Sequence, residues 1–115
     1  MSKGAEPAYD RARLVELFGN DPKTLAEVEH EFVKTARDAE REIAAADDLG
    51  VVGRAAHRVK GASGMIGAAP LHDLSEAIER AAKANDMPMV RRLHDRLRGE
   101  VLRVADQAGL PIEPL

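Results

Sequence analysis

Residues 51–67 read VVGRAAHRVKGASGMIG, and the spacing within them decides the fold and where its chemistry is to be sought. With Val59 at zero on a helical wheel and about 100° per residue, Val52, Ala55, Ala56, Ala62, Ser63 and Ile66 all fall within about 60° of it. That is the core stripe of an amphipathic helix. His57 falls about 160° from Val59, on the face turned to water. Gly53 and Gly61 lie one turn to either side of His57, and Gly64 about two turns along. Arg54 and Lys60 flank it by about 60° each.

A lone exposed histidine is ordinarily just surface, and arginines and lysines ordinarily make a solvated face. The glycines set this histidine apart. Each costs about 0.8–1 kcal/mol relative to alanine in an exposed helix, so three cost about 2–3 kcal/mol. Helix packing would explain them, but the wheel puts them opposite the apolar stripe. They are expected to let a partner approach the backbone around His57. Cations beside an imidazole favour its neutral form, whose ring nitrogen is a nucleophile, and they would stabilise a phosphoryl group attached to it.

Outward from this stretch, punctuation predicts four further helices. A short one runs from about Asp10 to Phe18 and ends at Gly19. Asp21 followed by Pro22 is a capping carboxylate and then a residue that needs no donor. Leu25, Val28, Phe32, Ala39, Ile43 and Ala46 then recur at helical steps. Asp47 and Asp48 can cap the central helix, which is expected to run to about Ile66 and stop at Gly67. Pro70 opens a third long helix with Leu71, Leu74, Ile78 and Ala81 inward, broken at Asn85-Asp86. Pro88 starts a fourth with Val90, Leu93, Leu97, Val101 and Val104 inward, ended by Gly109 and Pro111. Connections this short make neighbours antiparallel. The expected fold is all-α: an up-down-up-down four-helix bundle with a short N-terminal capping helix. It forms one domain over residues 1–115, with flexible ends at about 1–8 and 110–115.

Composition excludes several functions. At 115 residues the chain is one domain with room for a core. Zero Cys removes disulfides, thiolate metal sites and a cysteine nucleophile. Net charge −3, with one Tyr, two Phe and no Trp, argues against a nucleic-acid binder. No apolar run approaches a membrane span and the N-terminus lacks a signal peptide's apolar core, so a cytoplasmic location is expected. His30, His72 and His94 stand at no helical spacing to one another or to His57, and no Glu-x-x-His pair lies on an apolar stripe. No metal site is therefore expected. Glu27-Glu29-Glu31 and Arg91-Arg92 read as solvated faces. Met65, Met87 and Met89 read as core and cap filler, with Met65 alternatively on a docking surface reachable from His57.

The run His57-Arg58-Val59-Lys60-Gly61-Ala62-Ser63, continuing through Gly67-Ala68 to Leu71, resembles the signature of histidine-containing phosphotransfer (HPt) domains. That signature is Ala-His-x-Leu-Lys-Gly followed by two small residues, then Gly-Ala and a Leu. Weaker similarity extends over roughly Phe32 to Leu97. The departure is Val59 in place of Leu, on the core face, where it asks only for a packing adjustment. The resemblance implies a four-helix bundle whose exposed His57 accepts and donates a phosphoryl group through Nε2. It implies that Lys60 lies near that group and that Gly61 keeps the approach open. Arg54, Arg58, Gly53, Gly64 and Met65 are further candidates for phosphoryl stabilisation or docking, and Arg37 and Arg41 for partner specificity.

By the same resemblance the partners are response-regulator receiver domains and a hybrid histidine kinase. The receiver supplies the aspartyl phosphate and Mg²⁺, so no cofactor is expected on this chain, which would act as a monomeric phosphocarrier in a two-component phosphorelay and not as a turnover enzyme. Two alternatives stand beside this. One is the phosphoacceptor domain of a chemotaxis-type kinase, loaded by an ATP-binding domain, which the few residues from Leu110 to Leu115 disfavour. The other is a helical adaptor without chemistry, in which His57 would be dispensable.

Overall fold

Among the described residues, five helices form where the capping and proline signals place them. The computed structural model describes residues 6–110, and no strand is present among the described residues. The helices are α1 (Arg11–Phe18), α2 (Pro22–Ala45), α3 (Leu49–Met65), α4 (Ala69–Lys83) and α5 (Met87–Gln107). Asp10, Asp21, Asp48 and Asp86 cap α1, α2, α3 and α5, each accepting from backbone amides of the first turn. Of the two aspartates expected before α3, Asp48 is the cap.

The helix ends are as well defined as the starts. Gly67, Asn85 and Gly109 follow α3, α4 and α5 in left-handed conformation, with φ of 69°, 58° and 74°. In each case the next amide reaches back to a carbonyl five residues earlier: Ala68 to Ser63, Asp86 to Ala81 and Leu110 to Ala105. These are Schellman ends, which satisfy carbonyls the helix leaves orphaned. The end of α2 is closed differently. The Arg91 guanidinium donates to the carbonyls of Ile43 at 2.9 Å, Ala44 and Ala46. Arg91 is exposed, as expected of a solvated face, but it is also a structural cap from α5, a long-range role that no local pattern announces.

The long helices pack in a ring, each on the next, with α5 returning to α2. The expected stripes fill the centre: Leu25, Phe32, Ala39 and Ile43 from α2, Val52, Ala55, Ala56 and Val59 from α3, Leu71 and Ile78 from α4, and Val90, Leu97, Val101 and Val104 from α5. The closest association is α3 with α4. Small buried residues on both helices, among them Ala56 and Ser63 on α3 and Ser75 and Ala82 on α4, suit that close approach.

The N-terminal segment departs from expectation. Ala8 and Tyr9 are buried, so the chain is already fixed before residue 9. The Gln107 side chain accepts from the Ala8 amide at 2.6 Å and donates to the Tyr9 carbonyl at 3.1 Å. The Tyr9 ring packs against Phe32, centroids 6.5 Å apart. At the other end Leu110 is half-buried and hydrogen-bonded. The remainder of the expected flexible ends, residues 1–5 and 111–115, lies outside the described residues.

Among the described residues three glutamates are buried on core stripes, and each has a partner. Glu29, read from sequence as solvated, is buried and accepts from the Tyr9 hydroxyl at 2.5 Å and from Arg11 at 3.4 Å. Glu40 is buried against His94 Nε2 at 2.6 Å. The third, Glu79, belongs to the site.

Candidate active site

His57 projects from the middle of α3 with 68% of its side chain exposed. Its ring is anchored from α4: Nδ1 lies 2.9 Å from Glu79 Oε2, while the Glu79 side chain itself is only 10% exposed. A carboxylate accepts and cannot donate, so Nδ1 carries a proton, and in the neutral ring the lone pair is then on Nε2. Lys60, one turn along α3, pairs with the other oxygen, Nζ to Oε1 at 2.8 Å. The hydrogen bond from Lys60 is the main reason the Glu79 carboxyl is held below the usual carboxylate range. Burial opposes it, and the His57 hydrogen bond and the charges of Lys60 and Lys83 reinforce it.

Sequence reasoning missed Glu79, although a signal was present. Leu71, Ser75, Ile78, Glu79 and Ala82 form the buried face of α4 at helical steps, and a carboxylate on such a face requires a donor nearby. The single-stripe wheel of α3 leaves out a neighbour of two glycines. A Cβ on Gly53 would meet Ala82 at 3.8 Å and one on Gly64 would meet His72 at 3.4 Å, so α4 borders the face read as solvent. Both are ordinary contact distances, so packing does not require glycine at either position, and Gly64 is exposed as expected. At Gly61 nothing lies within 4 Å, and the backbone one turn beyond His57 is open.

Beside His57 runs an open cleft between the start of α3 and the end of α4, lined by Leu49, Gly50, Gly53, Arg54, Glu79, Ala82, Lys83 and Asn85. Of the other candidates, Arg58 is turned away to α2, its guanidinium 2.7 Å from Glu42. Met65 is 52% exposed at the far end of α3, a surface residue and not core filler. Met87 and Met89 pack against the core as expected. Arg37 and Arg41 line a separate groove on α2 with His30 and Lys34, away from His57.

A protruding imidazole with its second nitrogen held by a carboxylate, and open backbone alongside, can act as a nucleophile toward a group delivered by a partner. The family's sequence profile, described as Hpt domain, matches residues 14–107, from within α1 to the last residue of α5. The chain belongs to the Hpt domain family. Comparisons with curated proteins and with solved structures found no match. As an Hpt domain the chain is a histidine phosphocarrier of phosphorelay signalling, a family that works with receiver domains and kinases. No helix among the described residues is long and apolar enough to cross a membrane.

One group of this Hpt domain stands at ligand spacing, although the sequence predicts no metal site. His72, Asp73 and Glu76, in the first turns of α4, bring ligand-type atoms within 4.8 Å of one another. The pattern joins a histidine to carboxylates one and four residues later, which a search for paired histidines or Glu-x-x-His passes over. His72 is hydrogen-bonded to Asp73 and Glu76 is paired with Arg80.

Proposed function

We propose that this Hpt domain takes a phosphoryl group from the aspartyl phosphate of a receiver domain onto Nε2 of His57 and passes it to a second receiver. The observation that carries the reading is the hydrogen bond from Nδ1 to Glu79 on a ring otherwise open to solvent. The Nε2 lone pair attacks phosphorus in line. The N–P bond forms as the bond from phosphorus to the aspartyl oxygen breaks, and the aspartate leaves as a free carboxylate.

No proton has to move. The Nδ1 proton stays in place, the ring takes on positive charge, and the Glu79 carboxylate already faces that charge, so the field that stabilises it exists before the reaction begins. The return step reverses the sequence: a second receiver's aspartate attacks phosphorus, and His57 leaves as neutral imidazole. Glu79 never touches phosphorus and is a positioning residue. Lys60 holds Glu79 in turn. Open space at Gly61 admits the receiver's surface. We place the Mg²⁺ of the transfer on the receiver, a reading supported by the engagement of both Glu79 oxygens with Lys60 and His57.

The test is incubation of wild type and His57→Gln with a panel of phosphorylated receiver domains. Acid-labile, base-stable label on wild type and none on the variant is the expected result. Label from a purified kinase with ATP, and from no receiver, would replace the relay with the kinase-loaded reading. A folded wild type that takes label from neither, while still binding receivers, would show an adaptor.

A further inference from the structure

We propose that Lys83, and not Lys60, is the counter-ion of the phosphoryl group on His57, an inference that rests on the transfer reading above. The two lysines share Glu79 but are held differently. Lys60 is 27% exposed, sits 2.8 Å from Oε1, and is not among the residues that line the cleft. Its charge is already matched by the carboxylate. Lys83 is 76% exposed and lines the cleft, with Nζ 3.8 Å from Oε2, the oxygen that also accepts from His57. That separation is beyond hydrogen-bonding range, and an exposed pair of this kind is worth little. A flexible four-carbon stem therefore carries a free ammonium one carboxylate oxygen away from the reacting ring.

Charge balance points the same way. In the attacking state, with His57 as the neutral imidazole that the transfer requires, Glu79 and Lys60 cancel and Lys83 is a surplus positive charge. The phosphorylated ring brings two negative charges on the phosphoryl oxygens and one positive charge on the imidazole, a net of one negative charge that Lys83 neutralises. Arg54 is the other cation of the cleft, but its Nη1 lies 3.5 Å from where a Gly50 Cβ would stand, one turn N-terminal, whereas His57 is one turn C-terminal. Arg58 is committed to Glu42. The sequence pattern pointed to Lys60 because it looks along one helix, and Lys83 comes from the neighbouring one.

The test needs no receiver. The full chain is loaded with phosphoramidate, a small phosphoryl donor, and the second ionisation of the phosphoryl group is followed by ³¹P NMR in wild type, Lys83→Gln and Lys60→Gln. A nearby cation favours the dianion, so Lys83→Gln should raise the titration midpoint by about half a pH unit or more, and by more than Lys60→Gln does. The exposure of Lys83 leaves the fold intact, which a thermal melt checks. A phosphorylated Lys83→Gln that titrates with wild type, or a larger rise in Lys60→Gln, overturns the inference alone. A wild type that takes no phosphoryl group on His57 overturns the transfer reading, and this inference with it.

Discussion

The exposure of His57 on α3 was legible from its neighbours in sequence, while the carboxylate that its ring meets was not. A wheel drawn on one helix sees Arg54, Lys60 and the glycines, but the carboxylate that fixes the ring's tautomer arrives from α4. Removing only its charge is informative. Glu79→Gln should slow phosphoryl transfer onto His57 on the order of ten- to a hundredfold, with a rise in the Nε2–H tautomer visible by ¹⁵N NMR. Unchanged rate and tautomer would remove Glu79 from the account. The same carboxylate makes stability depend on pH with a definite sign. Its folded value is lowered, so the stabilisation is complete above the unfolded carboxylate value of about 4.3 and is lost as pH falls through the lowered folded value. The stability gap between wild type and Glu79→Gln should be constant near neutrality and close in acid, as read by denaturant melts across pH.

The helices themselves were legible almost to the residue because their boundaries are chemical. Four aspartate caps and left-handed residues at Gly67, Asn85 and Gly109 are local features that a sequence displays. Two glycines on or beside α3 should respond oppositely to alanine. Gly61→Ala, in open space, should stabilise by about 1 kcal/mol while slowing transfer. Gly67→Ala meets two obstacles: a left-handed backbone, and a Cβ that would stand 2.9 Å from that of Asp10. It should destabilise by at least about 1–2 kcal/mol. Thermal or denaturant melts distinguish them, and equal effects of the same sign would show that these positions have been misread. The wheel leaves out α4 beside Gly53 and Gly64 for a plain cause: α3 touches α2 on one side and α4 on another, so its contacts extend beyond a single stripe.

At the scale of the molecule, apolar periodicity was enough for the four-helix bundle, but not for the N-terminal segment that closes one end. That closure depends on Gln107 and Glu29, polar residues that sequence reading assigned to solvent or passed over. Tyr9→Phe leaves the buried Glu29 with only its 3.4 Å contact to Arg11, and should cost about 1–3 kcal/mol. Burial first, and then the hydrogen bond to Glu29, raise the Tyr9 phenol well above its usual value. The wild type's advantage is therefore present below about pH 10, the unfolded phenol value, and shrinks as pH climbs above it. Melts of the two proteins from neutral to alkaline pH measure both, and a constant gap would place Tyr9 outside the closure.

The central claim is that Nε2 of His57 is the phosphoryl acceptor because Glu79 holds the proton on Nδ1. The most direct measurement is heteronuclear NMR of the protein after phosphorylation by a receiver domain, correlating phosphorus with the ring nitrogens of His57. A single phosphoryl group coupled to Nε2, with Nδ1 still protonated, is the predicted result. Phosphorus on Nδ1, or on any residue other than His57, would contradict it.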